Sequence, residues 1–113
     1  GLNEVRINMT LPYFATELAR YRLAPAYFNR TATTGELYDA EDAQRAGFLD
    51  RIVAPDELMK AAKEAALELK ENVGMGHHAA TKLRVRAPAI DAVRAAAASE
   101  LSLESAQRIV DAR

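Results

Sequence analysis

Glu4 stands among Leu2, Asn3, Val5 and Ile7, and it is the first residue of the chain able to move a proton. A carboxylate does general acid/base chemistry when water is kept from it and a substrate proton lies within reach. Leu2, Met9 and Leu11 are the apolar neighbours that would exclude that water and suit Glu4 to proton transfer. On residue type alone, a solvated glutamate beside a strand is the plainer reading, because most carboxylates face water. An acid/base role also requires a pocket, a partner group and donors for charge developing on the substrate. Three preceding residues cannot supply these, so the expectation is the back half of a larger enzyme. His77-His78 invites a metal reading, but adjacent histidines point apart on a helix and no ligand pattern accompanies them. Thr81-Lys82 with Arg84 and Arg86 reads as a solvated helix face, with a phosphate contact as the alternative.

The elements that position these residues follow from periodicity. Val5-Arg6-Ile7 alternates as a short half-buried strand does. Thr10 is placed to cap a helix with Pro12 in its first turn, followed by Phe14, Leu18 and Tyr21 at helical spacing. Pro25 opens a second helix carrying Tyr27 and Phe28. Thr33 to Tyr38 is a turn and connector. Asp39 is a good N-cap, with Asp42 three residues on as an acidic capping-box variant, and Gly47 ends the helix. Phe48 to Val53 reads as extended. Pro55-Asp56-Glu57 starts a helix with apolar stripe Leu58, Ala62, Ala65 and Leu69. Gly74 and Gly76 break it. A helix from Ala79 to Arg86 is then punctuated by Pro88. A final helix carries Ile90, Val93, Ala97 and Leu101, with Ser102 or Ser105 interrupting it before Ile109 and Val110.

The chain has 113 residues, enough for one small domain. Half are hydrophobic, but many of these are alanine, so the core is thin unless it packs on something else. A net charge of −1 gives no basic face for nucleic acid or an anionic membrane. The absence of cysteine excludes disulfides, thiolate zinc sites and a cysteine nucleophile. No apolar run reaches membrane-spanning length. Two short extended pieces are too few for an independent sheet, and the Val5 strand needs neighbours for its backbone.

Asn3-Glu4-Val5, then Pro12, then Thr34-Gly35-Glu36-Leu37-Tyr38-Asp39 running on through Ala43-Gln44-Arg45-Ala46-Gly47-Phe48-Leu49-Asp50-Arg51-Ile52-Val53, then Leu58 and Thr81-Lys82, resembles the C-terminal half of a crotonase-family protein, the enoyl-CoA hydratase/isomerase superfamily. The resemblance spans nearly the whole chain and weakens after about Pro88. It implies an α/β crotonase-like (ClpP/crotonase) fold, of which this chain is the mainly helical C-terminal part with one or two short strands. Residues 1–53 would end the crotonase core and carry the catalytic-glutamate strand. Residues 54–113 would be a helical region suited to oligomerisation.

The resemblance further implies proton transfer on an enoyl-CoA thioester, with Glu4 as acid/base and an oxyanion hole from the N-terminal half. Leu2, Met9 and Tyr13 are expected to line the acyl site. Family hydratases use a second glutamate, which would lie upstream, and many isomerases use only the one matching Glu4. Both reactions therefore stay open. Implied partners are the acyl-CoA substrate and the N-terminal half, in a homotrimer or dimer of trimers, cytoplasmic, with no nucleic acid and no membrane. No cofactor is implied beyond coenzyme A in the substrate. One departure concerns Asn8 to Ala15, where the family's glycines are replaced while Pro12 is kept. That loop favours, as alternative, a non-catalytic acyl-CoA-binding or oligomer-forming relative. An unrelated helical domain that folds alone is a third reading.

Overall fold

The computed structural model describes residues 1–102 and 104. A 3₁₀ turn, Glu4–Ile7, comes first and replaces the expected strand. The following segments are α1 (Tyr13–Arg22), α2 (Pro25–Thr34), α3 (Ala40–Ala46), a second 3₁₀ turn (Pro55–Glu57), α4 (Leu58–Asn72) and α5 (Met75–Glu100). Among the described residues there is no strand, so the strand expected at Val5 is corrected, while Phe48 to Val53 lies outside any helix and pairs in no sheet. The reason is backbone hydrogen bonding. A four-residue segment with no neighbouring strand satisfies its N–H groups locally, and the 3₁₀ turn does so within a few residues.

Helix boundaries follow local chemistry where a cap is strong. Pro25 sits at the start of α2, where its missing N–H is harmless. Asp39 Oδ1 accepts the Asp42 N–H at 2.8 Å and starts α3. The Asp42 carboxylate is bonded to Arg45. Gly47 ends α3 with φ +97°. At that glycine the chain between α1 and α2 crosses closely: a Cβ would lie 3.0 Å from the Arg22 carbonyl oxygen. Ala24 N–H donates to the Ala46 carbonyl at 2.9 Å and locks this crossing.

Thr10 does not cap α1. The N-cap is Pro12, without a side-chain bond. The expected breaks at Gly76 and Pro88 are also absent: α4 stops before Gly74, and α5 runs unbroken through both residues. Pro88 removes one helical N–H, but the residues after it are held from outside. Ala89, Ile90, Ala92, Val93, Ala96 and Ala97 form a half-buried stripe, and α1 is the helix that α5 packs against. Small residues allow the two axes to approach. Leu101 lies beyond this stripe and is exposed. Ser105, Ile109 and Val110 lie outside the described residues.

The core is small. Among the described residues, Ala19, Leu23 and Ala46 are the buried apolar ones, joined by Thr31 and Gly35. The stripe expected on α4 is not covered: Leu58 and Leu69 are both exposed. Leu58, Ala62 and Ala65 instead line an open groove with Phe48, Leu49 and Val53. The radius of gyration is 17.6 Å, against about 13 Å for a compact domain of about this length. The chain is therefore extended, and large apolar side chains such as Ile7, Leu18, Met59 and Leu83 face outward.

Ala46 has no accessible surface, so Ala46→Leu must displace its neighbours. It should lower stability by about 1–3 kcal/mol. Ala66→Leu, on exposed α4 surface, should stay within about 0.5 kcal/mol. Urea midpoints at unchanged m-value separate the two.

Candidate functional site

The Glu4 turn is built from its own backbone and from one glycine. Arg6 N–H donates to the Asn3 carbonyl at 3.0 Å, and Met9 N–H to the Glu4 carbonyl at 2.9 Å. Asn8 closes the turn in the left-handed region, φ 58° and ψ 36°, a conformation asparagine tolerates better than most residues. Behind the turn lies Gly35, itself left-handed at φ +64°. A Cβ there would stand 2.9 Å from Arg6 Cγ, 3.1 Å from Val5 Cγ2 and 3.3 Å from Asn3 Cα. Only glycine meets both demands. Arg6 Nε donates to the Thr34 carbonyl at 3.1 Å and ties the turn to the end of α2.

A polar network in turn holds Gly35. Thr31 is fully buried, and its carbonyl accepts the Gly35 N–H at 3.2 Å. Its hydroxyl lies 2.7 Å from the Tyr38 hydroxyl. Tyr38 donates its one proton to Glu36 Oε2 at 2.9 Å, so Thr31 is the donor to Tyr38. Arg30 Nε pairs with the same Glu36 oxygen at 2.6 Å. Hydrogen bonding with Tyr38, followed by the Glu36 charge, raises the Arg30 guanidinium above its ordinary value. Tyr38 packs edge-on to Tyr27, with centroids 6.3 Å apart, and tilted on Phe48 at 5.9 Å. The connector after α2 is thus fixed on both of its faces.

Glu4 itself is half-buried. Its Oε2 is buried and has no hydrogen-bond partner among the described residues. An unpaired buried acceptor costs about 1–3 kcal/mol and is uncommon enough to require a reason. Chemically, it is an acceptor open to a proton or to a hydrogen-bond donor. Leu2, two residues earlier, is half-buried, while Met9 and Tyr13 are exposed. An open groove of about 540 Å³ lies beside the turn, walled by Val5, Thr10, Leu11, Thr16, Phe28 and Ala32 among others. Glu4, Met9 and Tyr13 are not in that wall. The expected acyl-site residues Leu2, Met9 and Tyr13 are near Glu4 along the chain and do not line this groove.

His77 is exposed and His78 half-buried. Among the described residues, no three His, Cys, Asp or Glu side chains are placed to hold a metal. Lys82, Arg84 and Arg86 are exposed on α5, and among the described residues no helix is long and apolar enough to cross a membrane. Sequence reasoning missed the network behind Gly35 and the contact from Glu100 Oε2 to the Tyr13 N–H. Buried Thr31 carries no pattern that marks it. Glu100 carried a signal, since an acidic residue in a helix's last turn sits badly with the helix dipole.

No family model matches the chain, and no curated protein matches it. Solved structures do. An enoyl-CoA hydratase/isomerase family protein from Pseudomonas syringae is 44% identical with TM-score 0.83, over 88% of this chain and 43% of its own. A Mycobacterium tuberculosis structure described as a probable enoyl-CoA hydratase is 37% identical with TM-score 0.81, over 95% of this chain and 46% of its own. A further M. tuberculosis structure, described as an enoyl-CoA isomerase, is 43% identical with TM-score 0.74, over 83% of this chain and 41% of its own. The chain thus spans less than half the length of these structures. The fold it shares with them is the crotonase fold, of which it forms a mainly helical part.

Gly35→Ala should cost about 1–3 kcal/mol of stability, from the left-handed backbone strain alone. The side-chain clash with the Glu4 turn should add amide exchange over residues 4–9. Denaturant unfolding and hydrogen exchange read the two effects separately.

Proposed function

The chain belongs to the enoyl-CoA hydratase/isomerase family, and from that premise we propose that it supplies the acid/base carboxylate of an enoyl-CoA enzyme, Glu4 moving the proton. The observation that carries this reading is the buried, unpartnered Glu4 Oε2 on a turn braced by Gly35. A carboxylate held still and without a protein partner is ready to take a proton from carbon next to a thioester. As the C–H bond breaks, its electron pair passes into the thioester, and negative charge develops on the thioester oxygen. Backbone N–H donors must meet that oxygen, and the N-terminal half of the protein is proposed to provide them. In a substrate with a β,γ double bond the proton then returns to the γ-carbon, and the double bond moves to the α,β position. In the alternative reaction, water adds across the double bond and Glu4 exchanges a proton with it. The thioester supplies the activation, so no metal or redox cofactor enters the proposal.

The N-terminal half also gives a physical partner for the outward-facing apolar residues. Ile7, Leu18, Leu58 and Met59 are all exposed in this chain, and burial of each is worth roughly 1.5–3 kcal/mol. Assembly into a homotrimer or dimer of trimers would add cover for α5, where Leu83 and Val85 are exposed.

Glu4→Gln keeps size and hydrogen bonding but cannot accept the proton. In protein carrying both halves, it should lower kcat on an enoyl-CoA by about 10²–10⁴-fold with little change in KM. A non-catalytic acyl-CoA binder would instead bind crotonyl-CoA without turnover in either form. That reading is supported by the loop from Asn8 to Ala15, where the family's glycines are replaced. Assays for hydration and for double-bond migration, run on the same preparation, decide among the three.

A further inference from the structure

We infer that Glu100 is a positioning residue: from the end of α5 it caps the start of α1 and so fixes the Met9–Tyr13 segment against which an acyl chain would lie. This rests on the proposed enoyl-CoA reading and on the family resemblance that sets Met9 and Tyr13 along the acyl chain.

Helix α1 has no cap of its own. Its N-cap residue is Pro12, which has no side-chain acceptor, and its first turn holds no acidic residue. The nearby hydroxyl of Thr16 turns back to the Pro12 carbonyl at 3.0 Å. The exposed N–H of Tyr13 is instead taken by Glu100 Oε2 at 2.5 Å, across 87 residues of sequence. A carboxylate at the positive end of a helix is favourable both as a cap and with the dipole.

On its own helix Glu100 is badly placed. It is the last residue of α5, where the dipole favours a cation, and the last turn of α5 holds no basic residue. Its position is therefore explained by α1 and not by α5. The apolar stripe along α5 sets the register. Ile90, Val93 and Arg86 lie in one groove with Leu18 and Tyr21 of α1, and Glu100 then reaches the opposite end of α1 at Tyr13. The two helices run antiparallel, clamped at that end by the Tyr13–Glu100 bond.

The consequence falls on the loop between the Glu4 turn and α1. Its first end is fixed by the Asn8 and Met9 N–H bonds to the Glu4 carbonyl. Its second end is fixed at Tyr13 by Glu100, with Pro12 rigid beside it. Glu4 is braced separately on Gly35. Loss of Glu100 should therefore loosen the loop while leaving the Glu4 turn in place.

The test uses protein carrying both halves, with Glu100→Ala and the gentler Glu100→Gln, which keeps an acceptor oxygen. Two readouts are taken, neither needing turnover. Amide exchange is followed over residues 9–16 and over 35–38. Affinity is measured for butyryl-CoA and decanoyl-CoA. The inference predicts faster exchange over 9–16 alone, and a decanoyl-CoA Kd raised roughly fivefold, the scale of a lost cap. Butyryl-CoA binding should be unchanged, and Glu100→Gln should lie between wild type and Glu100→Ala. Unchanged exchange over 9–16 in either variant would overturn it. So would faster exchange with both Kd values unmoved, or moved equally, since that leaves a cap with no positioning role. If Glu100→Ala does not fold, the same comparisons on Glu100→Gln decide. Failure of Glu4 to support turnover would show in the kinetic assays and would leave these binding and exchange results standing.

Discussion

The contact between the Glu4 turn and Gly35 is the constraint on which the rest of the structure depends. It requires a residue without a side chain, in a left-handed conformation, at the end of α2. That requirement propagates in both directions. On one side it seats Asn3, Val5 and Arg6, and so aims Glu4. On the other, Gly35 is held by Thr31, Thr31 by Tyr38, and Tyr38 by Glu36, which Arg30 pairs. Such a network is stiff when complete and costly when one member is removed.

The same chain is poor in apolar burial. Its buried residues are few and small, and its radius of gyration exceeds that of a compact domain of similar length. Local structure nevertheless forms because capping, glycine stops and the α1–α5 contact specify it. The outward-facing apolar residues are then understandable as surface of a larger assembly. The structures it resembles are more than twice its length, which fits this view. Among the described residues, the Glu4 oxygen is unpaired and the apolar stripe of α4 is uncovered, as the proposed N-terminal partner would require.

Much of this was legible in the sequence, and the limits have physical causes. Pro25, Asp39 and Gly47 marked their helix ends correctly because a cap is a local interaction. The block from Thr34 to Val53 carried the family resemblance because it encodes both the Gly35 contact and the α3 helix. The Val5 strand was misread because alternation gives a side-chain pattern and says nothing of a pairing partner. Pro88 was misread as a break because its local cost, about 3 kcal/mol, is opposed by packing of the residues after it on α1, and Gly76 because it falls in the first turn of α5, where glycine costs only about 1 kcal/mol. Thr10 was a plausible cap, but Glu100 took that role from a helix distant in sequence. The acyl-site role of Leu2, Met9 and Tyr13 comes from the family resemblance and not from any pattern in the residues themselves. Whether they share a pocket depends on surfaces outside this chain.

The central claim is that Glu4 moves a proton at the carbon beside a thioester. Deuterium exchange into butyryl-CoA tests it most directly, because this substrate has no double bond to hydrate or shift. Protein carrying both halves is incubated with butyryl-CoA in D₂O, and the C2 position is followed by NMR. The account predicts deuterium at C2 that depends on Glu4 and disappears in Glu4→Gln. Tight binding of butyryl-CoA with no deuterium at C2, or equal exchange in Glu4→Gln, would contradict it.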